Sequence, residues 1–152
     1  MLKKIFATVL VLSIFLIQSS AMAGGYQQYL NGDRNYILFD GHQGGARYAV
    51  RNSLNIEKYA PPNYVISIDW VYVPDAYNGS TQNTRRNTSR FGYDWDTRKF
   101  YTINDKGEWK LLDPQGSRAS GAAFAGEAEI AFYLAYGMKF CGQYNNDFYP
   151  DR

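Results

Sequence analysis

The sequence predicts an α+β domain: an antiparallel meander β-sheet of about five to six strands packed against one C-terminal α-helix. Three observations predict it. Tyr64, Ile66, Ile68, Trp70 and Tyr72 alternate with Val65, Ser67, Asp69, Val71 and Val73, the period of a strand that turns one face to a core. Short aromatic and β-branched runs on either side are separated by turn residues, an order that favours pairing between successive antiparallel strands. From about Ser120 to Phe140 the pattern becomes Ala-rich, and Phe124, Ala128, Ala131, Ala135 and Met138 recur at helical spacing, with Ile130 and Leu134 beside them.

The elements follow in chain order. Lys3 and Lys4 precede a thirteen-residue apolar run, Ile5 to Ile17, and Ala21-Met22-Ala23 supplies small residues at positions −3 and −1 of a cleavage point. This is the pattern of a secretory signal peptide over residues 1–23; a spanning helix needs about 20 apolar residues. A lipoprotein signal needs a Cys at the cleavage point, and the one Cys is Cys141. Removal of residues 1–23 from the 152 leaves 129, and takes two lysines and no acid, so the mature chain carries fourteen charges of each sign. Such a neutral chain has no global electrostatic attraction to nucleic acid. No second hydrophobic segment follows, so no transmembrane segment is expected after cleavage.

Residues 24–34 read as a polar leader, and 35–142 as a single α+β domain. Asn35 to Asp40 reads as a strand stopped by Gly41-His42-Gln43-Gly44-Gly45, and Arg47 to Ile56 as the next. Ala60-Pro61-Pro62-Asn63 breaks the chain before Tyr64 to Val73. The polar stretch Pro74 to Ser89 reads as a flexible hairpin connection. Phe91, Tyr93 and Trp95 then alternate with Gly92, Asp94 and Asp96, and an Asp96-Thr97 turn leads to Lys99–Ile103. Asn104-Asp105-Lys106-Gly107 turns the chain into Glu108 to Leu112.

In the helix, Glu127 and Glu129 lie early and Lys139 late, which suits the helix dipole. Ser117 or Ser120 is placed to cap its start and Gly142 to stop it. Gly126 and Gly137 each cost about 1 kcal/mol in a helix interior. Burial of Phe124, Ile130, Leu134 and Met138 returns roughly 6–12 kcal/mol gross at about 1.5–3 per side chain, so the helix must lie on the sheet. Residues 143–152 read as a polar, aromatic C-terminal tail.

Composition excludes several chemistries. Aromatic residues make up 17%, with 14 Gly and 5 Pro, which is neither a disordered nor a collagen-like chain. One Cys excludes an intramolecular disulfide and Cys-rich metal sites, and one His excludes multi-His centres. No phosphate loop, dinucleotide fingerprint or metal motif occurs, so no cofactor is expected. His42 stands among glycines, but a strand rather than a helix N-terminus follows, and the reading is an exposed hairpin residue. Asp94 and Asp96, at i and i+2, are a carboxylate pair of the kind used in acid–base hydrolysis, or ordinary solvent-side patterning opposite Trp95. Cys141 reads as a small apolar packer, with an intermolecular disulfide or a nucleophile as the other options. Arg85, Arg86, Arg90, Arg98 and Lys99 surround the aromatic strand bearing Trp95 and form the local candidate for a partner-binding surface.

The segments Phe91–Tyr101, Gly107–Pro114 and Ala125–Cys141 carry an acidic-aromatic turn, a Trp-bearing strand, a Pro link and an Ala-rich helix ending near a Cys. In this the chain resembles the surface-adhesin protein E family of small exported bacterial proteins, over roughly residues 36–142. The resemblance implies an antiparallel sheet carrying a C-terminal helix, and adhesion to host matrix proteins. It also implies a disulfide from the helix end to a strand; Cys141 matches the helix-end Cys, while no Cys stands near Trp95, so packing must replace that tether. The expectation is an exported, periplasmic or surface-associated, non-enzymatic binding domain whose partner is an envelope or host extracellular protein or glycan. The alternatives are a small hydrolase using Asp94 or Asp96, and a purely structural envelope component.

Overall fold

The computed structural model describes residues 25–152; the expected signal peptide and the mature start at Gly24 lie outside them. Six strands, β1 (Tyr36–His42), β2 (Gly45–Ala60), β3 (Asn63–Val73), β4 (Arg85–Asp94), β5 (Lys99–Ile103) and β6 (Trp109–Leu111), form one sheet in chain order. Every neighbouring pair is antiparallel. Among the described residues a single α-helix, α1 (Ala122–Tyr136), lies against β1, β2 and β3. The α+β meander with a C-terminal helix is therefore the fold.

Alternation along β3 divides the core in two. Tyr64, Ile66, Ile68 and Trp70 face α1, where they pack with Tyr93, Phe100, Ile130 and Phe132. Val71 and Val73 point the other way, into a smaller core with Tyr48, Val50 and Ala46. The second face of β3 is thus part of a core at its C-terminal end and half-buried at Asp69, where the sequence showed only a mixture. Leu30 and Tyr26 cover this second core, and Tyr29 bridges Ile37 at the free side of β1. The stretch expected as a loose leader is held to the sheet by apolar burial and by the Leu38 N–H donating to the Gln28 carbonyl at 2.8 Å.

β4 starts at Arg85, so the expected flexible connection ends earlier than the polar composition of residues 85–89 suggested. Pairing of Arg85 to Ser89 with Tyr72 to Ile68 satisfies their backbone, and Asp69 accepts from Arg86 and Thr88 across the strands. β5 pairs only with Phe91 to Asp94, which leaves the outer edge of β4 from Arg85 to Arg90 without a strand neighbour. Trp95 and Asp96 lie in the turn after β4, not on it.

The helix is shorter than its sequence pattern. Gly137, at φ 70°, takes the left-handed conformation, and its N–H donates to the Tyr133 carbonyl at 2.8 Å, so it ends α1 five residues before Gly142. Met138, expected under the helix, is 42% exposed. Ser117 caps the 3-10 turn Arg118–Ser120 rather than α1. A Cβ on Gly126 would stand 2.9 Å from the Phe39 carbonyl oxygen, so this glycine lets α1 approach β1. Residues Ala125 to Phe132 are all buried, because the chain after α1 covers the helix from the other side. Tyr149 and Pro150 are buried there, and the expected tail is a layer of the fold.

Candidate functional site

Glu127 and Glu129, expected early in the helix where acids suit its dipole, are 0% and 1% exposed. Glu129 accepts three hydrogen bonds: from the N–H of Phe140 at 2.8 Å, from the N–H of Cys141 at 2.9 Å and from the Tyr149 hydroxyl at 2.8 Å. It locks the returning chain onto α1. Glu127 has one partner, the Ser89 hydroxyl, which donates to Oε2 at 2.9 Å; among the described residues Oε1 has none. Burial pushes the Glu127 carboxyl well above its ordinary value, against the lowering influence of Ser89 and Arg47.

Ser89 leads to the open end of the same sheet face. α1 begins at Ala122 and reaches β3 near Trp70 through Phe124, with ring centroids 5.9 Å apart, so Tyr72 and its neighbours are only partly covered. Register places Arg47 and Arg85 on either side of Tyr72, Asn87 beside Trp70, and Asp40 beside Arg47. The turn before α1 adds Arg118. The Asp40 side chain, 8% exposed, accepts from Arg47 at 2.6 Å and from both terminal nitrogens of Arg118 at 2.5 and 2.6 Å. Burial alone would raise its carboxyl, but Arg118 and then Arg47 outweigh burial and hold it below the ordinary value of 3.8. One carboxylate therefore serves two guanidinium groups.

A cleft of about 230 Å³ opens over this cluster, lined by His42, Arg47, Trp70, Tyr72, Arg85 and Arg118 besides Asp40. Arg85 is exposed and forms no ion pair with a described carboxylate. The Arg47 Nε is buried without a hydrogen-bond partner among the described residues. The Arg47 guanidinium stands 5.7 Å from the Trp70 ring and 5.8 Å from Phe124. A second cleft of about 310 Å³ shares Trp70 with the first, has Phe124 in its own wall, and presents Asn87, Ser89, Thr102, Asn104 and Asp105. The free edge of β4 is what leaves this second cleft open.

The structure separates the arginines that the sequence grouped. Arg86 pairs with Asp69 at 2.7 Å and Arg90 with Glu57 at 2.5 Å, both on the face away from α1. Arg85, one position from Arg86, faces the helix side instead. The Arg98 guanidinium lies 3.5 Å over Trp95 and donates to the Phe140 carbonyl at 3.3 Å, while Trp95 stacks on Phe132 at 5.5 Å. Trp95 and Arg98 thus brace the closed end, and exposed Lys99 starts β5 beside them. Of Arg85, Arg86, Arg90, Trp95, Arg98 and Lys99, only Arg85 lines the 230 Å³ cleft.

The other candidates are also placed. Asp94 is half-buried, and its Oδ1 accepts from the N–H groups of Asp96 at 3.1 Å and Thr97 at 3.2 Å; hydrogen bonding from the Thr97 side chain first, and then from these N–H groups, keeps its carboxyl below the ordinary range. Asp94 ends β4 and Asp96 belongs to the turn, so they do not share a strand face, and neither lines the groove. Cys141 is half-buried against the helix-side core, and burial pushes its thiol up to about 12. His42, exposed as its hairpin position predicts, lines the cationic cleft. Sequence reasoning missed Asp40, Arg47 and Arg118. Asp40 and Arg47 flank the Gly41–Gly45 turn, and hairpin register alone would have set them opposite one another; Arg118 lies 78 positions from Asp40 with no local signal. No described helix is long and apolar enough to cross a membrane. No family model, curated protein or solved structure matches the chain.

Proposed function

We propose that the chain is an exported, non-enzymatic binding domain of a bacterial-type cell envelope, which holds its partner in the groove at the open end of the helix-side sheet face. The observation that carries this reading is the surplus of guanidinium groups there: Arg47, Arg85 and Arg118 around the single carboxylate of Asp40, walled by Trp70 and Tyr72. A fold that needed these charges only for stability would pair them, as Arg86 and Arg90 are paired on the opposite face. A cluster of donors with few acceptors, set in a concavity with aromatic walls, suits an anionic partner. Export rests on the basic, apolar and small-residue succession of residues 1–23. The resemblance to the surface-adhesin protein E family agrees with a binding role. The partner class is an envelope or host extracellular protein or glycan.

The test is capture from envelope extract and from extracellular-matrix extract on immobilised mature chain starting at Gly24. The expected result is a partner retained by wild type and lost by Arg85→Glu, with both proteins melting alike. Capture indifferent to Arg85→Glu would move the site off this groove. N-terminal sequencing of exported protein should begin at Gly24; Met1 on exported protein would contradict the processing.

A further inference from the structure

The groove is not uniform, and its two halves specify the ligand. The cationic half gathers Arg47, Arg85 and Arg118 in a 230 Å³ cleft. Arg118 meets Asp40 through two parallel hydrogen bonds, the fork-to-fork geometry that guanidinium groups offer to oxyanions generally, and exposed Arg85 offers the same fork with no described carboxylate to fill it. The other half, about 310 Å³, is lined by uncharged amides and hydroxyls, Asn87, Ser89, Thr102 and Asn104, together with the carboxylate of Asp105. Arg90 also borders it, but its guanidinium is committed to Glu57. Trp70 lines both halves, and Phe124 adds to the aromatic wall of the neutral one.

Resting on the binding role proposed above, we infer that the groove takes an acidic saccharide in which an anionic sugar is flanked by neutral ones. The anionic group meets Arg85 and Arg47 in the cationic half. The neutral neighbour places its hydroxyls against Asn87, Thr102 and Asn104, and an apolar ring face against the aromatic wall. Together the two clefts fall within the size of small-ligand sites, about 300–1,000 Å³. Asp105 accepts a hydroxyl proton but repels a second anion, so a ligand charged along its whole length fits the neutral half poorly. That argument separates a mixed saccharide from an acidic peptide.

Isothermal titration calorimetry of the mature chain with four probes tests this: a hyaluronan hexasaccharide with alternating carboxylate and neutral sugars, a heparin hexasaccharide rich in sulfate, neutral chitohexaose, and hexaglutamate. The hyaluronan fragment should bind, chitohexaose and hexaglutamate should not, and binding should weaken as salt screens the arginines. Heparin hexasaccharide binding more tightly than the hyaluronan fragment would overturn the flanking-neutral requirement. Arg85→Ala should weaken the hyaluronan fragment about 10-fold and Asn87→Ala about 3-fold, by loss of charged and neutral hydrogen bonds respectively. Both side chains are exposed, so unchanged melting keeps the result interpretable. Hexaglutamate binding as tightly as the saccharide would overturn the inference in favour of an acidic peptide. If no probe binds while Arg85→Glu still abolishes partner capture, the ligand class is wrong and the groove stands; if capture also ignores Arg85, the groove itself falls.

Discussion

The two ends of the helix-side sheet face are built from the same strands and differ in how their polar groups are matched. At the closed end, the polar groups brought under the helix find their complements, with the Tyr136 hydroxyl the one exception among the described residues. The Tyr93 hydroxyl donates to the Ala128 carbonyl at 2.7 Å, Glu129 takes three donors, and Arg98 lies on Trp95 with its remaining reach spent on a backbone carbonyl. At the open end the matching is incomplete. Glu127 keeps one oxygen unpartnered among the described residues, Asp40 is shared by two guanidinium groups, and Arg85 has no described acid. Buried, satisfied networks rigidify a fold, whereas unmatched donors in a concavity retain free energy for a ligand. The difference assigns stability to one end and recognition to the other.

The largest expected effect breaks the closed end. Glu129→Ala leaves two backbone N–H groups and the Tyr149 hydroxyl without their acceptor, and should cost at least about 3 kcal/mol at about 1–3 per orphaned donor. Chemical denaturation measures it, and Tyr149→Phe, which removes one donor and leaves the others satisfied, should cost about 1 kcal/mol. A Glu129→Ala protein as stable as wild type would show that the chain after α1 is not held by this carboxylate. Next in size, Gly126→Ala should destabilise by about 1–3 kcal/mol, because overpacking against the Phe39 carbonyl exceeds the gain in helix propensity.

How much of this was legible in the sequence follows from the range of each signal. The period-two run Tyr64–Val73 and the Ala-rich stripe are local patterns, and each forms the element its period predicts, the helix shorter than its stripe. Gly137 as the helix stop was misjudged because the apolar stripe runs past it to Met138; only backbone geometry distinguishes a glycine that ends a helix from one inside it. Arg85, Arg86 and Arg90 looked like one patch because they are close in sequence, yet strand alternation sends neighbours to opposite faces once β4 is extended. Arg118 reaches Asp40 only through the docking of the turn before α1, a contact without any sequence period.

The pH response sharpens the same comparison. Glu127 holds its proton in the folded protein more strongly than in the unfolded chain, where its ordinary value is 4.5. Its contribution to stability is therefore whole below that value and is lost as pH rises toward the folded one. Glu127→Gln, which mimics the protonated acid, should gain on wild type steadily above pH 4.5, read from paired denaturation curves. Asp40 works in the opposite sense: its lowered carboxyl stabilises above 3.8, and that contribution is lost as pH falls. A constant offset between wild type and Glu127→Gln across pH would place that carboxyl outside the low-dielectric interior.

The smallest effects on stability belong to the open end. Arg85→Ala should change stability by no more than about 0.5 kcal/mol, as for exposed positions without partners. Cys141 should react slowly with a thiol reagent at pH 8 and faster once the protein is denatured, since burial holds its thiol near 12.

The division of labour between the two ends is tested most directly by an NMR titration of the mature chain with the hyaluronan hexasaccharide. The account predicts shifts at the Arg47 Nε–H, the Trp70 indole N–H and the Asn87 amide, with Tyr93 and Phe132 at the closed end unmoved. Shifts confined to Arg86 and Arg90 on the opposite face, or spread over the closed end, would contradict it.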